Sequence, residues 1–433
     1  MQYYNINQPT DKVSLKEAIM QSPKGVTGLY MPETIPPMDA SFMQNLGQYH
    51  LQEIAGEAAK KMFHGDVEDR VLEDIAAHAV DFAIPAVPIH DNIYTLELFH
   101  GPTLAFKDVG ARFMAGLFEH FIARERKEVN ILVATSGDTG SAVACAFLGK
   151  QGIKVTILYP SGKVSKLQEK QLTTLGQNIT ALEVNGTFDD CQRMAKQAFA
   201  DSTLKPYVNL TSANSINFAR LFPQSFYYFH AFAQLSKITK PLVCCVPSGN
   251  FGNITAGLIA KRMGLPVHHF IAATNQNDII PQYLSSGDFT PKPSVTTISN
   301  AMDVGNPSNF SRMQALFNGV YADFKTAITG YAFNDEQTRK IMRQVYQQHD
   351  YVLDPHGAIG YGALQHYLQG KDLTGIFLET AHPAKFGDVV EDTLGVEVPM
   401  PENLQRYARL EKKSILLEND YDLLRDFLIE TSR

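Results

Sequence analysis

The sequence predicts an α/β protein built on two open, twisted, mostly parallel sheets, with a helical region added at the N-terminus. Three observations carry this reading. From about residue 129, short β-branched runs alternate with helical stretches. A second series of the same kind starts near residue 241. Before about residue 92, apolar residues recur at helical spacing instead.

Taken in order, FMQNLGQYHLQEIAGEAAKKMF (42–63) and VLEDIAAHAVDF (71–82) place apolar side chains on one helical face. VNILVAT (129–135) reads as a buried strand, followed by the turn SGDTG and a small-residue helix through Leu148. KVTILYP (154–160) is the next strand, and SKLQEKQLTTLG (165–176) a helix ending at glycine. NITALEVNG (178–186) and FDDCQRMAKQAFA (188–200) repeat the alternation. An aromatic-rich helix over 215–235 separates this series from the second. There PLVCCVP (241–247) is a strand, GNITAGLIAKRMG a helix and HHFIAAT (268–274) a strand. TGIFLETA (374–381) is a further strand. Strands alternating with helices imply parallel pairing and right-handed crossovers. The stretch YLSSGDFTPKPS (283–294) predicts an exposed loop or insertion. The predicted division is a helical N-terminal region (1–92), a larger α/β unit (93–125 and 216–433) and a smaller α/β unit (126–215).

Composition excludes several function classes. The 433 residues carry 38 basic and 45 acidic side chains, a formal net charge of −7. No block of basic residues stands out, so no nucleic-acid partner is expected. No apolar run reaches the roughly 18 residues that span a bilayer, so no membrane association is expected. The N-terminus lacks a basic start followed by an apolar run, and the cytoplasm is the expected location. Cys145, Cys191, Cys244 and Cys245 form no C-x-x-C pair and read as buried free thiols. His268 and His269 are adjacent, the wrong spacing for ligating from a helix, and no metal site is expected.

Three strand ends share one design: an apolar strand, a turn of small residues and a helix start. They are VATSGDTGSA (133–142), VPSGNFGNITAG (246–257) and LETAHPAKF (378–386). Small residues admit a ligand close to the backbone, and a helix start offers free N–H groups to an anion. SGNFGN, Ser248 to Asn253, is the strongest phosphate cradle among them, although a tight turn needing glycine reads equally well. SGDTG, with two hydroxyls at a helix start, suits a carboxylate. Asp138 within it is also an ordinary helix-start residue.

Lys107 follows Leu104-Ala105-Phe106 in a stretch poor in polar groups. Burial of that ammonium is costly unless it is paired, neutralised or consumed in a Schiff base. Pyridoxal phosphate requires such a lysine, a phosphate site and a partner for its ring nitrogen. Lys107, the SGNFGN loop and Thr380 offer all three. The plainer alternative pairs Lys107 with Asp108 at a helix start, pointing to water.

The ordered runs FHGPTLAFKDVGARFM, ATSGDTGSA, ILYPSGKVSKLQEKQ, NSINFAR, VPSGNFGN, ATNQND, SNAMDVGNPSN and TAHPAKF resemble the threonine synthase family, in its bacterial and fungal branch. The resemblance runs from residue 1 to about residue 395. It implies the fold type II pyridoxal-phosphate architecture, related to tryptophan synthase β. It also implies pyridoxal 5'-phosphate as cofactor, with Lys107 as the Schiff-base lysine. Ser248, Gly249, Asn250, Phe251, Gly252 and Asn253 would hold the cofactor phosphate, and the Thr380 hydroxyl the ring nitrogen. A hydroxyl there favours elimination and replacement over transamination, because it cannot hold a formal positive charge as a carboxylate would. The wider fold places asparagine against the ring hydroxyl; this sequence has Asp138, as that branch of the family does.

The implied substrate is O-phospho-L-homoserine and the products are L-threonine and phosphate. Ser136, Gly137, Asp138 and Thr139 form the loop that would receive the substrate carboxylate, with Asp138 also at the cofactor and Thr103 at the substrate site. Candidates for the substrate phosphate are Lys163, Lys166, Arg112, Arg220 and Lys385, with Asn214 as an amide donor; Arg220 and Lys163 rank first. His382, two residues after Thr380, reads as structural. The competing functions are a related phospho-lyase or a threonine dehydratase-like enzyme, and a non-catalytic small-molecule binder that keeps the α/β shell. A monomer or homodimer is expected.

Overall fold

The computed structural model describes residues 1–20, 29–123 and 128–432. The predicted boundary between residues 125 and 126 lies outside the described residues. Two sheets dominate. The larger has six strands in the order Ile328–Ala332, His269–Thr274, Leu242–Pro247, Thr374–Glu379, Ile93–Glu97 and Ala86–His90. Its pairings are parallel except the last, which is an antiparallel hairpin. The smaller sheet has five parallel strands in the order Ile415–Glu418, Ile179–Asn185, Ile153–Pro160, Val129–Ala134 and Leu210–Ser212.

The central strands are buried along their whole length: Val129–Ala134, Leu242–Pro247, His269–Thr274 and Thr374–Glu379 have no exposed residue. Helices cover both faces of a parallel sheet, so such strands read as continuous apolar runs rather than alternating ones. The Lys107–Ile122 helix packs against both the Asp138–Phe147 helix and the N-terminal Asp69–Ala79 helix. Phe63, at the end of the Leu51–Phe63 helix, packs between the Lys107–Ile122 helix and the aromatic segment Phe218–Ser225. Its ring lies 5.8 Å from Phe113, 5.2 Å from Phe222 and 6.3 Å from Phe218.

Five features differ from the sequence reading. Residues 283–286 of the expected exposed loop instead end the Ile279–Ser286 helix, with Tyr283 and Leu284 buried. The N-terminal region is not only helical: Tyr3–Asn5 pairs antiparallel with Gln8–Val13 and Tyr30–Pro32. Gln8–Val13 is polar and mostly exposed, so it lacks the apolar alternation that marks a strand. The helix predicted over 42–63 breaks into Ala40–Gln44, a 3-10 turn Leu46–Gln48 and Leu51–Phe63. The break seats Gly47 against another turn, where a Cβ would lie 2.3 Å from Ser236 Oγ. The aromatic stretch 215–235 likewise divides into three short helical pieces, with Pro223 opening the middle one. Finally, the predicted division gives residues 216–433 to the larger unit, but Ile415–Glu418 pairs with Ile179–Asn185 on the smaller sheet. The closing Tyr421–Glu430 helix buries Leu424 and Leu428 in the same cluster as Cys191 and Met194.

Phe63 is fully buried. Replacing it with alanine is expected to destabilise the protein by about 3–5 kcal/mol through lost burial and a residual cavity, read as a lowered midpoint of denaturant unfolding.

Candidate active site

In open α/β sheets the crevice for a ligand forms beyond the carboxyl ends of the strands, where the strand order reverses. Both sheets have such a point. Leu242–Pro247 lies between His269–Thr274 and Thr374–Glu379; Val129–Ala134 lies between Ile153–Pro160 and Leu210–Ser212. One cavity is lined by the segments that leave these strands: Pro247 to Asn253 and Thr380 from the larger sheet, Ala134 to Ser136 and Asn214 to Ile216 from the smaller. The three strand-end turns singled out in the sequence therefore meet at one site.

Lys107 also lines this cavity. The chain ahead of it is clamped to the end of the Thr374–Glu379 strand: Phe106 N–H donates to Thr380 O at 2.9 Å, and Ala105 bridges to Ala381. Its side chain is 16% exposed, with Nζ 3.9 Å from Asp138 Oδ2 and 4.8 Å from the Phe106 ring centre. Burial pulls its pKa down to about 8, against the opposing pull of Asp138. Asp108 is not its partner. Asp108 turns away and accepts from Thr103 N–H at 2.9 Å and Thr103 Oγ1 at 2.6 Å, closing the preceding turn.

Asp138 is buried beneath Lys107. Its Oδ1 pairs with Lys385 Nζ at 2.6 Å and accepts from Gln168 Nε2 at 2.9 Å. Burial alone would raise its pKa, but Lys385 and Lys107 outweigh that and hold it well below the usual carboxylate range. Lys385 has no exposed side-chain surface and also donates to Thr103 O at 2.9 Å. It was a candidate for the substrate phosphate; the structure commits it to Asp138 instead. Gln168 stands third in the capping box that Ser165 opens, so one side chain both starts a helix and braces Asp138.

The SGNFGN turn has the form of an anion cradle. Phe251 adopts a left-handed conformation (φ +59°), and Gly252 opens the Gly252–Arg262 helix. First-turn amides of a helix have no intrahelical acceptor. A Cβ on Gly249 would fall 2.8 Å from both Ala301 O and Met302 Cα, so only glycine fits. Asn253 accepts from the Tyr228 hydroxyl at 2.6 Å, while its buried Nδ2 has no acceptor among the described residues. An acceptor-rich group such as a phosphate ester would satisfy that donor.

The wall opposite Gly249 is held by a second polar cage. Asp303 accepts from Thr297 N–H, Thr297 Oγ1 and Asn275 Nδ2, and burial pushes its pKa up to about 6. Beside it, His356 Nε2 accepts from Ala301 N–H, and His356 Nδ1 donates to Asp354 Oδ1 at 2.6 Å. His356 lines the cavity and was not anticipated. The only sequence signal near it is Asp354-Pro355, a helix start.

Of the remaining predicted residues, Ser136, Thr139, Asn214, Arg220 and Thr380 line the cavity. Arg220 is buried, and burial pulls its pKa down to about 10. Asn214 Oδ1 is buried without a donor among the described residues. Thr103, Gly137, Lys163, Lys166 and Arg112 do not line it. Thr103 is engaged by Asp108 and Lys385. Gly137 (φ +136°) donates its N–H to Thr135 Oγ1 and shapes the turn from behind. Lys163 and Lys166 are exposed. Arg112 pairs with Asp81 at 2.6 Å. His382 accepts from Ala384 N–H at 3.1 Å, and burial with His100 nearby lowers its pKa to about 4, which fits a structural cap.

Two outcomes test this geometry. Asp138→Asn leaves Lys385 buried without a carboxylate and is expected to cost about 3–5 kcal/mol in unfolding free energy. Lys107 binds its proton more weakly folded (about 8) than unfolded (10.5). Its contribution to stability therefore rises with pH between those values. The difference in stability between the cofactor-free protein and its Lys107→Met variant should show that slope.

Residues 85–377 match the family described as pyridoxal-phosphate dependent enzyme. Residues 2–80 match the threonine synthase N terminus, and residues 357–428 the threonine synthase C-terminal family. Threonine synthase from Haemophilus influenzae is 44% identical over 432 residues, with 100% of both chains covered. The crystal structure of threonine synthase from Escherichia coli superposes with a TM-score of 0.94 at 42% identity, covering 100% of both chains. The crystal structure of PLP-bound threonine synthase from Brucella melitensis gives 0.92 at 32% identity, again over 100% of both chains. With this fold, this cradle and this buried lysine, the chain belongs to the threonine synthase family of fold type II pyridoxal-phosphate dependent enzymes.

Proposed function

We propose that the chain converts O-phospho-L-homoserine and water into L-threonine and inorganic phosphate, with pyridoxal 5'-phosphate held in this cavity. One observation carries the reading: Lys107, pulled to about 8, stands where the phosphate cradle and the two switch-point loops converge. Ser248 to Asn253 would take the cofactor phosphate, with Asn253 Nδ2 as a waiting donor. The Thr380 hydroxyl would face the ring nitrogen, and Lys107 is the covalent attachment point. When bound, the cofactor supplies an electron sink for charge that develops beside the substrate's amino group.

The protein's own groups then divide the work. Lys107 Nζ, as a neutral amine, would take the substrate's Cα proton and then a Cβ proton as phosphate leaves Cγ, and would return protons to Cγ and to Cα. A group near pH 8 serves both as base and as returning acid. Ser136, Thr139 and the first-turn amides of the Asp138–Phe147 helix orient the substrate carboxylate. Arg220 meets the phosphate that leaves from Cγ, and water adds at Cβ. Asp138 stays ionised and fixes where the Lys107 ammonium rests. The four cysteines are free thiols, which supports the cytoplasm as the place of this reaction.

Incubation with O-phospho-L-homoserine should release threonine and phosphate in equal amounts; 2-oxobutyrate and ammonia without threonine would overturn the reading. Lys107→Ala should lower kcat by about 10²–10⁴-fold. Arg220→Lys should act mainly on KM, raising it by about tenfold, as followed by phosphate release.

A further inference from the structure

One fully buried cation among the described residues is one that the reaction does not touch. Arg312 has no exposed surface. Its guanidinium donates to Ser215 O and Asn309 Oδ1 at 2.8 Å, to Tyr30 O at 3.0 Å and to Ile216 O. All four acceptors are neutral. Lys385 and Lys107 share the Asp138 carboxylate, whereas Arg312 has no carboxylate partner among the described residues. Burial is the sole influence on its pKa and pulls it down to about 9. A buried charge without a counter-charge is costly, and such a cost persists where a ligand supplies the opposite sign.

The connections of Arg312 point to that ligand. Asn309, whose Oδ1 it holds, turns its Nδ2 to Asn250 O at 3.1 Å and to Ser215 Oγ at 3.0 Å. Asn250 is the centre of the anion cradle, and Ser215 and Ile216 line the cavity. The fourth acceptor, Tyr30 O, belongs to the N-terminal antiparallel sheet. One guanidinium thus joins the N-terminal sheet, the smaller sheet's switch-point loop and the cofactor's phosphate loop.

We propose that Arg312 is a positioning residue for the cofactor phosphate, holding the cradle through Asn309 and Ser215 and supplying the buried positive charge that the phosphate dianion balances, so that the N-terminal sheet forms part of the cofactor site. This rests on the family's cofactor. It adds a residue outside the cavity wall and a role for the N-terminal region.

The test is equilibrium dialysis of the full-length cofactor-free protein against pyridoxal 5'-phosphate and, separately, pyridoxal. A purely structural arginine would affect both compounds alike. R312M is expected to reduce the preference for the phosphorylated compound by at least about tenfold, which corresponds to 1.4 kcal/mol, while pyridoxal binding changes little. R312K, which keeps the charge and loses the fork, should retain the preference to within about threefold. An unchanged preference in folded R312M overturns the proposal. If R312M does not fold, R312K decides alone: a preference lost there overturns it. Wild-type protein that binds neither compound overturns the cofactor reading and this proposal together.

Discussion

The contact between Lys385 and Asp138 is the constraint around which the site is built. Both side chains are out of water, one from the loop that ends the larger sheet's central region and one from the turn that ends the smaller sheet's first strand. A pair this deeply buried gains little net stability over an apolar substitute, because desolvation offsets the attraction. Its value here is positional. It locks two strand ends into one register, and Thr103 O and Gln168 Nε2 complete the coordination of the two charges. Lys107 then rests above a carboxylate that stays ionised, so its ammonium is tolerated in a place where burial would otherwise expel the proton.

The same logic explains the division of cations. Lys107 has its pKa pulled down to about 8 by burial, against the pull of Asp138. Lys385 is held away from the cavity by Asp138 Oδ1 and Thr103 O. Arg220 stays at the cavity wall, where its guanidinium donates to Ala213 O and feels the charge of Asp108. Three basic groups of the same formal charge thus sit in three different surroundings.

Much of this was legible in the sequence. The buried strands of both sheets, the three strand-end turns and Lys107 follow from apolar runs and small-residue punctuation, which are local signals. What escaped is non-local. Nothing in SGKVSK or HPAKF distinguishes an exposed lysine from a buried one, so Lys163 ranked above Lys385 as a free cation when neither lines the cavity. His356, Asn309 and Arg312 act through partners some 50 to 280 positions away in the chain. The N-terminal strands carry polar residues because one side faces water at a small sheet's edge, which erases the pattern by which strands are recognised.

The strand Ile415–Glu418 closes the edge of the smaller sheet against Ile179–Asn185, more than two hundred residues upstream. During synthesis the ribosome delivers that edge after the other four strands of its sheet. Until residues 415–430 emerge, Leu182 and Val184 sit in a sheet whose flank is open, and the Tyr421–Glu430 helix is not yet there to cover Cys191 and Met194. Folding of this half therefore waits for a segment made long after its other strands, and loss of residues 415–430 would strike a unit whose remaining strands lie in the middle of the chain.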